Sequence, residues 1–406
     1  MKFRKSIFIV MSFSILVSIT GCSGNNHSST SAIQPSPDKT ISSENKTDKD
    51  NTSDVKNKTN NDITQNGLLL GLSNISKDNG KGSEDPKGIP ESYKTIWISP
   101  KGSSYSYLQK DGFIIAPGKD GFYKLERAYG KFEGKNSSSD IEVNKLITYK
   151  VGSNSDTKVK IDEETTKGIM YSSEVFNADF IGNNYYIVSY LQIYTSGAGG
   201  YQYMPSKKVS TLGNNIKAWM EGTSDNNKST SLKDIFSSED KNKINSQIES
   251  LKKLYNKTVN KESPNDREYV AEDDLTFLRK DGKWRLFVPI KFSNWKDSHN
   301  FFIDYKEIDC PLPNSLTSYD ELCMPYDEIK RIIPDTKDAV SSPDKSVLVV
   351  QTSDKLLVYL NPLKGIDKTT TEIPINKDDK IVLNQWSTGS YVEKWDEELT
   401  KILNKY

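Results

Sequence analysis

Leu275-Thr-Phe-Leu-Arg-Lys-Asp-Gly-Lys-Trp-Arg-Leu-Phe-Val-Pro-Ile290 holds two apolar runs, Leu275–Leu278 and Trp284–Ile290, divided by Lys280-Asp281-Gly282. Asp-Gly between apolar runs marks a hairpin, because glycine takes positive φ without a Cβ clash. The same grammar recurs along the chain. Gly112-Phe-Ile-Ile115 and Gly121-Phe-Tyr-Lys-Leu125 follow Lys-Asp-Gly turns at Lys110–Gly112 and Lys119–Gly121. Asn183-Asn184 separates Val175–Ile181 from Tyr185–Tyr194, and Thr352-Ser-Asp354 separates Ser346–Gln351 from Lys355–Tyr359. Tyr93–Ile98 is rich in aromatic and β-branched residues that suit a pleated surface. The predicted architecture is built of antiparallel meanders.

Helical signals are fewer. Ile244, Ile248, Leu251 and Tyr255 share one helical face, with Ser237 placed to cap it. Ser390-x-x-Glu393 resembles a capping box before Val392, Trp395, Leu399 and Ile402. A short helix over Tyr326–Ile333 is bounded by Pro325 and Pro334. Helices that do not alternate with the strands predict an antiparallel, β-rich α+β fold over residues 93–406, as one body or two (93–260 and 261–406). Ser342-Pro343-Asp344 before Val347–Val350 resembles the strand opener of TolB-type β-propeller blades, with Lys345 in the usual glycine position. That resemblance implies a propeller as the alternative, although no blade-length repeat of ~40 residues is visible.

The N-terminus has a different character. Lys2, Arg4 and Lys5 precede the apolar stretch Ile7–Thr20, which leads to Ile19-Thr20-Gly21-Cys22. The stretch is shorter than the roughly 20 residues a spanning helix needs. A basic start, a short apolar core and a small residue before cysteine form a signal peptide. Ile19-Thr20-Gly21-Cys22 resembles the lipobox of bacterial lipoproteins, and the Asn-, Lys-, Ser- and Ile-rich vocabulary is similar to that of low-GC Gram-positive species. The resemblance implies removal of residues 1–21, a diacylglyceryl thioether at Cys22 and a place on the outer face of the cell membrane. Residues 22–92 then read as lipidated cysteine plus flexible linker, because apolar residues are too sparse to offset ordering entropy. About 40 such residues span roughly 35 Å as a coil and up to ~130 Å when straight. Leu68, Leu69, Leu70, Leu72 and Ile75 break the polar pattern, either as a docked edge strand or as a transient cluster.

The whole chain has 55 basic and 55 acidic residues, so loss of Lys2, Arg4 and Lys5 leaves 52 against 55, a net charge of −3. That balance argues against nucleic acid as a partner, which needs a clustered basic surface. Cys310 and Cys323 remain after Cys22 is lipidated. An exported domain permits a disulfide between them, worth ~3 kcal/mol on the loop-entropy model, and equally permits two buried thiols.

No catalytic signature emerges from the residues. Ser224-Asp225-Asn226 lacks a Lys-Thr-Gly companion, and of the Ser-x-x-Lys starts outside the linker only Ser155 precedes it. His27 and His299 are the only histidines, too few for a typical zinc site. Asp273-Asp274, Asp378-Asp379 and Glu397-Glu398 read as solvated turns and helix faces, since glycosidase carboxylates must oppose each other across a cleft. The sequence thus predicts no cofactor and no metal.

Tyr186, Tyr190, Tyr194, Tyr201 and Tyr203 gather around the glycine-rich turn Ser196–Gly200. They read either as a binding surface or as β-sheet core. Tyr185–Ile248 resembles the small domain shared by RsiV-type anti-sigma proteins and PdaC-type peptidoglycan deacetylases. The resemblance rests on the strand Tyr186–Tyr194, the glycine-rich turn and Leu232-Lys-Asp-Ile-Phe236, without the family's histidine after the glycines. It implies an extracytoplasmic binding or sensing role. The expected function is non-enzymatic recognition of a cell-envelope, peptide or protein ligand from a membrane anchor. The alternatives are a wall-active enzyme using carboxylates and a structural subunit of an envelope complex.

Overall fold

The structure, a computed structural model, describes residues 65–75, 90–132, 141–153, 172–195, 201–214, 231–260, 263–294, 299–366 and 369–406. Residues 1–22, read above as a leader ending in a lipobox, lie outside the described residues, as do Ser155, the segment 196–200 and Ser224-Asp225-Asn226. Among the described residues no helix is long and apolar enough to cross a membrane.

The strands fall into small antiparallel sheets arranged like a five-bladed β-propeller. The first blade holds β1 (Asn66–Ile75), β2 (Pro90–Lys101) and β3 (Ser104–Asp111). The second holds β4 (Phe113–Gly118), β5 (Gly121–Phe132) and β6 (Ile141–Lys150). The third holds β7 (Ser172–Ile181), β8 (Tyr185–Thr195) and β9 (Tyr201–Thr211). Helix α1 (Ser238–Tyr255) and the strands β10 (Lys257–Asn260) and β11 (Ser263–Val270) come next. They precede the fourth blade, β12 (Thr276–Lys280), β13 (Lys283–Asn294) and β14 (His299–Ile308). Helix α2 (Tyr326–Ile332) leads into the fifth, β15 (Asp338–Ser341), β16 (Val347–Gln351), β17 (Lys355–Leu360) and β18 (Thr371–Pro374). The chain ends with β19 (Asp379–Thr388), which returns to pair with β1, and α3 (Ser390–Lys405).

The α+β expectation is therefore met only in its β-rich, antiparallel part, and the layout is that of the alternative. A physical reason for the hidden repeat is visible. Blades differ between three and four strands, and α1, β10 and β11 intervene between the third and fourth. Equal spacing in sequence is lost although the blades repeat in space.

Several local readings hold. Asp281 and Gly282 take φ of 52° and 75°, the two positive values of a type I′ turn, with Lys280 opposite Lys283. Lys345 stands at φ 63°, a left-handed position that explains why a glycine suits it. Ser237 Oγ accepts the Asp240 N–H at the start of α1, whose Ile244 and Ile248 are buried. Other readings need correction. Gly112, at φ 97°, does not close a hairpin; its N–H donates to Tyr93 O at 2.7 Å as the chain passes from β3 to β4 in the next blade. Gly389 rather than Ser390 takes the N-cap position of α3, and no side chain caps it. Cys310 and Cys323 are free buried thiols, one packed with Ile308 and Leu316, the other with Ile329 and Ala339 in a different cluster.

The leucine island is neither an edge strand nor a transient cluster. Strand β1 lies between β19 and β2 and is buried on both faces. Leu68, Leu70 and Leu72 point toward Val347, Val349 and Val358 of the fifth blade, while Leu69 joins Trp97, Ile114 and Leu383. A near-continuous apolar run is what two-sided burial demands. At Gly71 a Cβ would lie 2.7 Å from Ile114 Cγ2 and 2.9 Å from Leu383 Cβ, so its absence lets β4 and β19 close on β1.

The cores lie between blades. One joins Trp97, Ile114, Leu125, Phe176 and Tyr186 with Val392 and Leu399 of α3. A second joins Phe180 and Ile187 of the third blade to Ile244 and Ile248 of α1 and to Phe277 and Leu286 of the fourth. A division at 260/261 would cut through this second core, and Asn61–Tyr406 forms one compact unit.

Gly71→Val is expected to cost on the order of 1–3 kcal/mol through overpacking. Leu254→Ser, at an exposed position of α1, should stay within about 0.5 kcal/mol. Urea unfolding of both variants checks this, and equal stability of the two would contradict the close approach at β1.

Candidate functional site

Two buried charged centres stand out, and each is built from several blades. The first lies where the inner strands of the fourth, fifth and first blades meet. Leu275, Phe277 and Arg279 share one side of the chain by alternation, so Arg279 continues a core-facing series. Its Nε and Nη2 engage both oxygens of Asp338 in a bidentate pair, the Nη2 contact being 3.1 Å. Nη2 also donates to Ala339 O at 2.8 Å, and Nη1 donates to Asp320 Oδ1 at 3.2 Å and Asn384 Oδ1 at 3.3 Å. Asn384 Oδ1 further accepts Trp284 Nε1–H at 2.6 Å, and Asp320 Oδ2 accepts the Trp284 backbone N–H at 2.5 Å. Planar guanidinium suits this fork of acceptors, which an ammonium could not match.

Burial raises the Asp320 carboxyl above its ordinary value, and the Arg279 charge and the Trp284 N–H pull it back only in part. The Arg279 guanidinium, opposed by burial but held by two carboxylates, is pushed further toward permanent charge. Every donor of Arg279 has an acceptor. The centre therefore binds three blades together and offers no free group for chemistry.

The second centre lies between the third and fourth blades. Asp179 is the extra residue where the β7–β8 register slips between Ala178 and Phe180. Such bulges re-aim a side chain. Its carboxylate accepts Ser189 Oγ–H at 2.8 Å and Lys207 Nζ–H at 2.8 Å. Lys207 Nζ also donates to Ser189 Oγ at 2.6 Å and lies 5.4 Å from the Tyr305 ring centroid. Asp274 accepts the Lys207 backbone N–H at 2.7 Å through one oxygen and pairs with Lys291 Nζ at 2.6 Å through the other. The Phe302 ring lies under both ammonium groups, at 5.3 Å and 5.1 Å.

Serine, lysine and tyrosine at these distances invite a comparison with a serine–lysine nucleophile. Such a nucleophile needs a neutral lysine to take the serine proton. Burial disfavours the Lys207 charge, yet Asp179 and Tyr305 more than compensate, and its pKa is raised. Two of its protons are committed, to Asp179 and to Ser189, and the ammonium stands here as a donor.

Of the tyrosine cluster, the structure describes two side chains, and both belong to the core. Tyr186 is fully buried and its hydroxyl donates to Asn214 O at 2.6 Å. Tyr190 is also buried, against Phe176 with ring centroids 4.7 Å apart and with Lys208 Nζ 4.0 Å from its centroid. Alternation does place both on one face of β8, and that face is the core. The side chains of Tyr194, Tyr201, Tyr203 and His299 lie outside what the structure describes. Among the described residues no group of histidine, cysteine and carboxylates is placed to hold a metal ion. Sequence reading passed over Arg279 and Lys207. The usable signal was parity, since Arg279 follows Phe277 and Lys207 precedes Val209 on buried faces.

The start of β1 forms a third feature, where buried Asn66 follows exposed Gln65. Asn66 Nδ2 donates to Asp344 Oδ2 at 2.8 Å and to Ser346 Oγ at 3.1 Å, and the Gly389 N–H donates to Gln65 O at 2.9 Å. This is the ring face at the C-terminal ends of β15 and β19. No family model, curated protein or solved structure matches the chain.

Arg279→Met is expected to destabilise by roughly 3–5 kcal/mol, because two buried carboxylates lose their cation. The Asp320 contribution has a definite sign. A raised folded-state pKa makes its share complete below the ordinary carboxyl value, and that share fades as pH rises through the folded value. Asp320→Asn should flatten the fall in stability above about pH 4. Urea unfolding at stepped pH tests this, and an unchanged slope would refute the assignment.

Proposed function

We propose that this chain is a lipid-anchored protein of the outer membrane face that binds or senses a cell-envelope, peptide or protein ligand. The observation that carries the reading is Ile19-Thr20-Gly21-Cys22 behind a basic and then apolar leader. Two acyl chains on one thioether give stable anchoring, which a single chain does not.

The layout of the body suits recognition. Its Arg279 centre ties three blades together, with every guanidinium donor paired. A ring of this kind presents loops from several blades side by side, which suits contact with an extended or multivalent ligand. Helix-rich recognition by α1 is a smaller surface, since its apolar face is spent on the core.

Cells expressing the full chain should incorporate labelled palmitate, and Cys22→Ala should abolish the label and shift the protein from the membrane fraction to the medium or to an unprocessed precursor. Equal labelling of the wild type and the variant would remove the basis of this function.

A further inference from the structure

The residues around the start of β1 form a surface with a consistent chemistry. Gln65 and Asn66 touch Gly389 on one side and the Asp344–Ser346 turn on the other. The Asn361 N–H donates to Ser346 O at 2.7 Å, which brings the Asn361–Gly365 turn into the same neighbourhood. Two large apolar side chains stand open here: Leu363 is 63 % exposed and Tyr391 is 61 % exposed. Lys345, Lys364 and Lys394 are exposed beside them, and Lys394 Nζ lies 5.1 Å from the Tyr391 ring centroid. Lys101, also exposed, ends β2 next to where β1 begins. Among the described residues of these turns, 342–346, 361–366 and 389–394, the acids are Asp344 and Glu393. Burial pushes the Asp344 carboxyl up, but hydrogen bonds from Ser342, Ser346 and Asn66 together outweigh it and hold its pKa below the ordinary value.

We infer that this face rests on the anionic phospholipid surface of the membrane that holds the anchor. The inference depends on the lipidation of Cys22 proposed above. The described chain starts at Gln65 on this face, so an anchor at residue 22 would bear on the body from this side. Exposed leucine and tyrosine flanked by lysines match an interface where acyl chains and negative headgroups adjoin. Each lysine within a Debye length of such a surface adds about a five-fold preference for it. Tethering raises the local concentration of that surface to the order of millimolar, so weak contacts suffice. The ring then stands with its opposite face, carrying the β16–β17 turn at Thr352–Asp354, toward the exterior.

The test uses the full acylated chain, expressed with its leader and reconstituted in vesicles of phosphatidylglycerol and phosphatidylcholine carrying a headgroup photocrosslinker. Adducts at 361–366 and 389–394 should exceed those at 352–354 by at least about five-fold. The excess should collapse at ~1 M salt, where the Debye length is about 3 Å, and in Lys345→Glu/Lys364→Glu and Leu363→Ser/Tyr391→Ser. All four positions are exposed, so unchanged thermal melting confirms that the variants remain folded. Palmitate on Cys22 with equal adducts on both faces would overturn the docking and leave the anchor standing. Absence of palmitate would overturn both. An excess that persists in all variants and at high salt would assign it to geometry of the linker rather than to this surface.

Discussion

The pairing of β1 with β19 is the constraint on which the ring depends. Asn74 of β1 and Asp379 of β19 are 305 residues apart and share a buried hydrogen bond of 3.0 Å. The pairing runs from Asn66 opposite Thr388 to Asn74 opposite Asp379. Both ends are pinned by side chains. At one end Asp379 accepts Asn74, the Asn376 N–H and the largely buried Lys94 ammonium. At the other, Asn66 bridges to the fifth blade. Closing so long a loop carries an entropic cost that grows only with the logarithm of its length. The intervening blades shorten the effective distance as they form, and the leucines of β1 supply apolar burial on both faces.

Inside that closed ring, the charged centres settle orientation rather than supply raw stability. Buried ion pairs cost desolvation, and packed apolar residues often do as well. Arg279 meets acceptors on the inner strands of two other blades, Asp338 and Asn384, and on the segment that carries Asp320. Rotating one blade relative to its neighbours would strand a charge. Between the third and fourth blades the bridge is Asp274, which accepts the Lys207 N–H and pairs with Lys291, while the Lys207 ammonium meets Asp179 at the bulge of its own blade. These centres make the angular order of the blades specific, where apolar packing alone would tolerate sliding.

Much of the local structure was legible because its causes are local. Asp281-Gly282 makes its hairpin through backbone conformation alone, and the α1 face follows from a spacing of three and four. The arrangement of the sheets was not legible in the same way. Gly112 has the same Lys-Asp-Gly context as Gly121, yet it joins two blades; only the partner strands distinguish the two cases. The leucine island is surrounded by polar sequence, and its partner β19 lies at the far end of the chain. Tyr186 and Tyr190 had the right periodicity for either a ligand surface or a core, and burial against neighbouring blades decides it. Lys207 and Arg279 are charges whose partners lie on other strands, so parity was their one trace.

The direction of β1 has a mechanical consequence. A force transmitted from a membrane-bound N-terminus would act at Asn66, along the axis of the strand. Hydrogen bonds to β19 and to β2 lie across that axis on both sides. They are loaded in shear, all together, instead of peeling one after another. Pulled from that end, the body would resist detachment and opening through the same set of bonds.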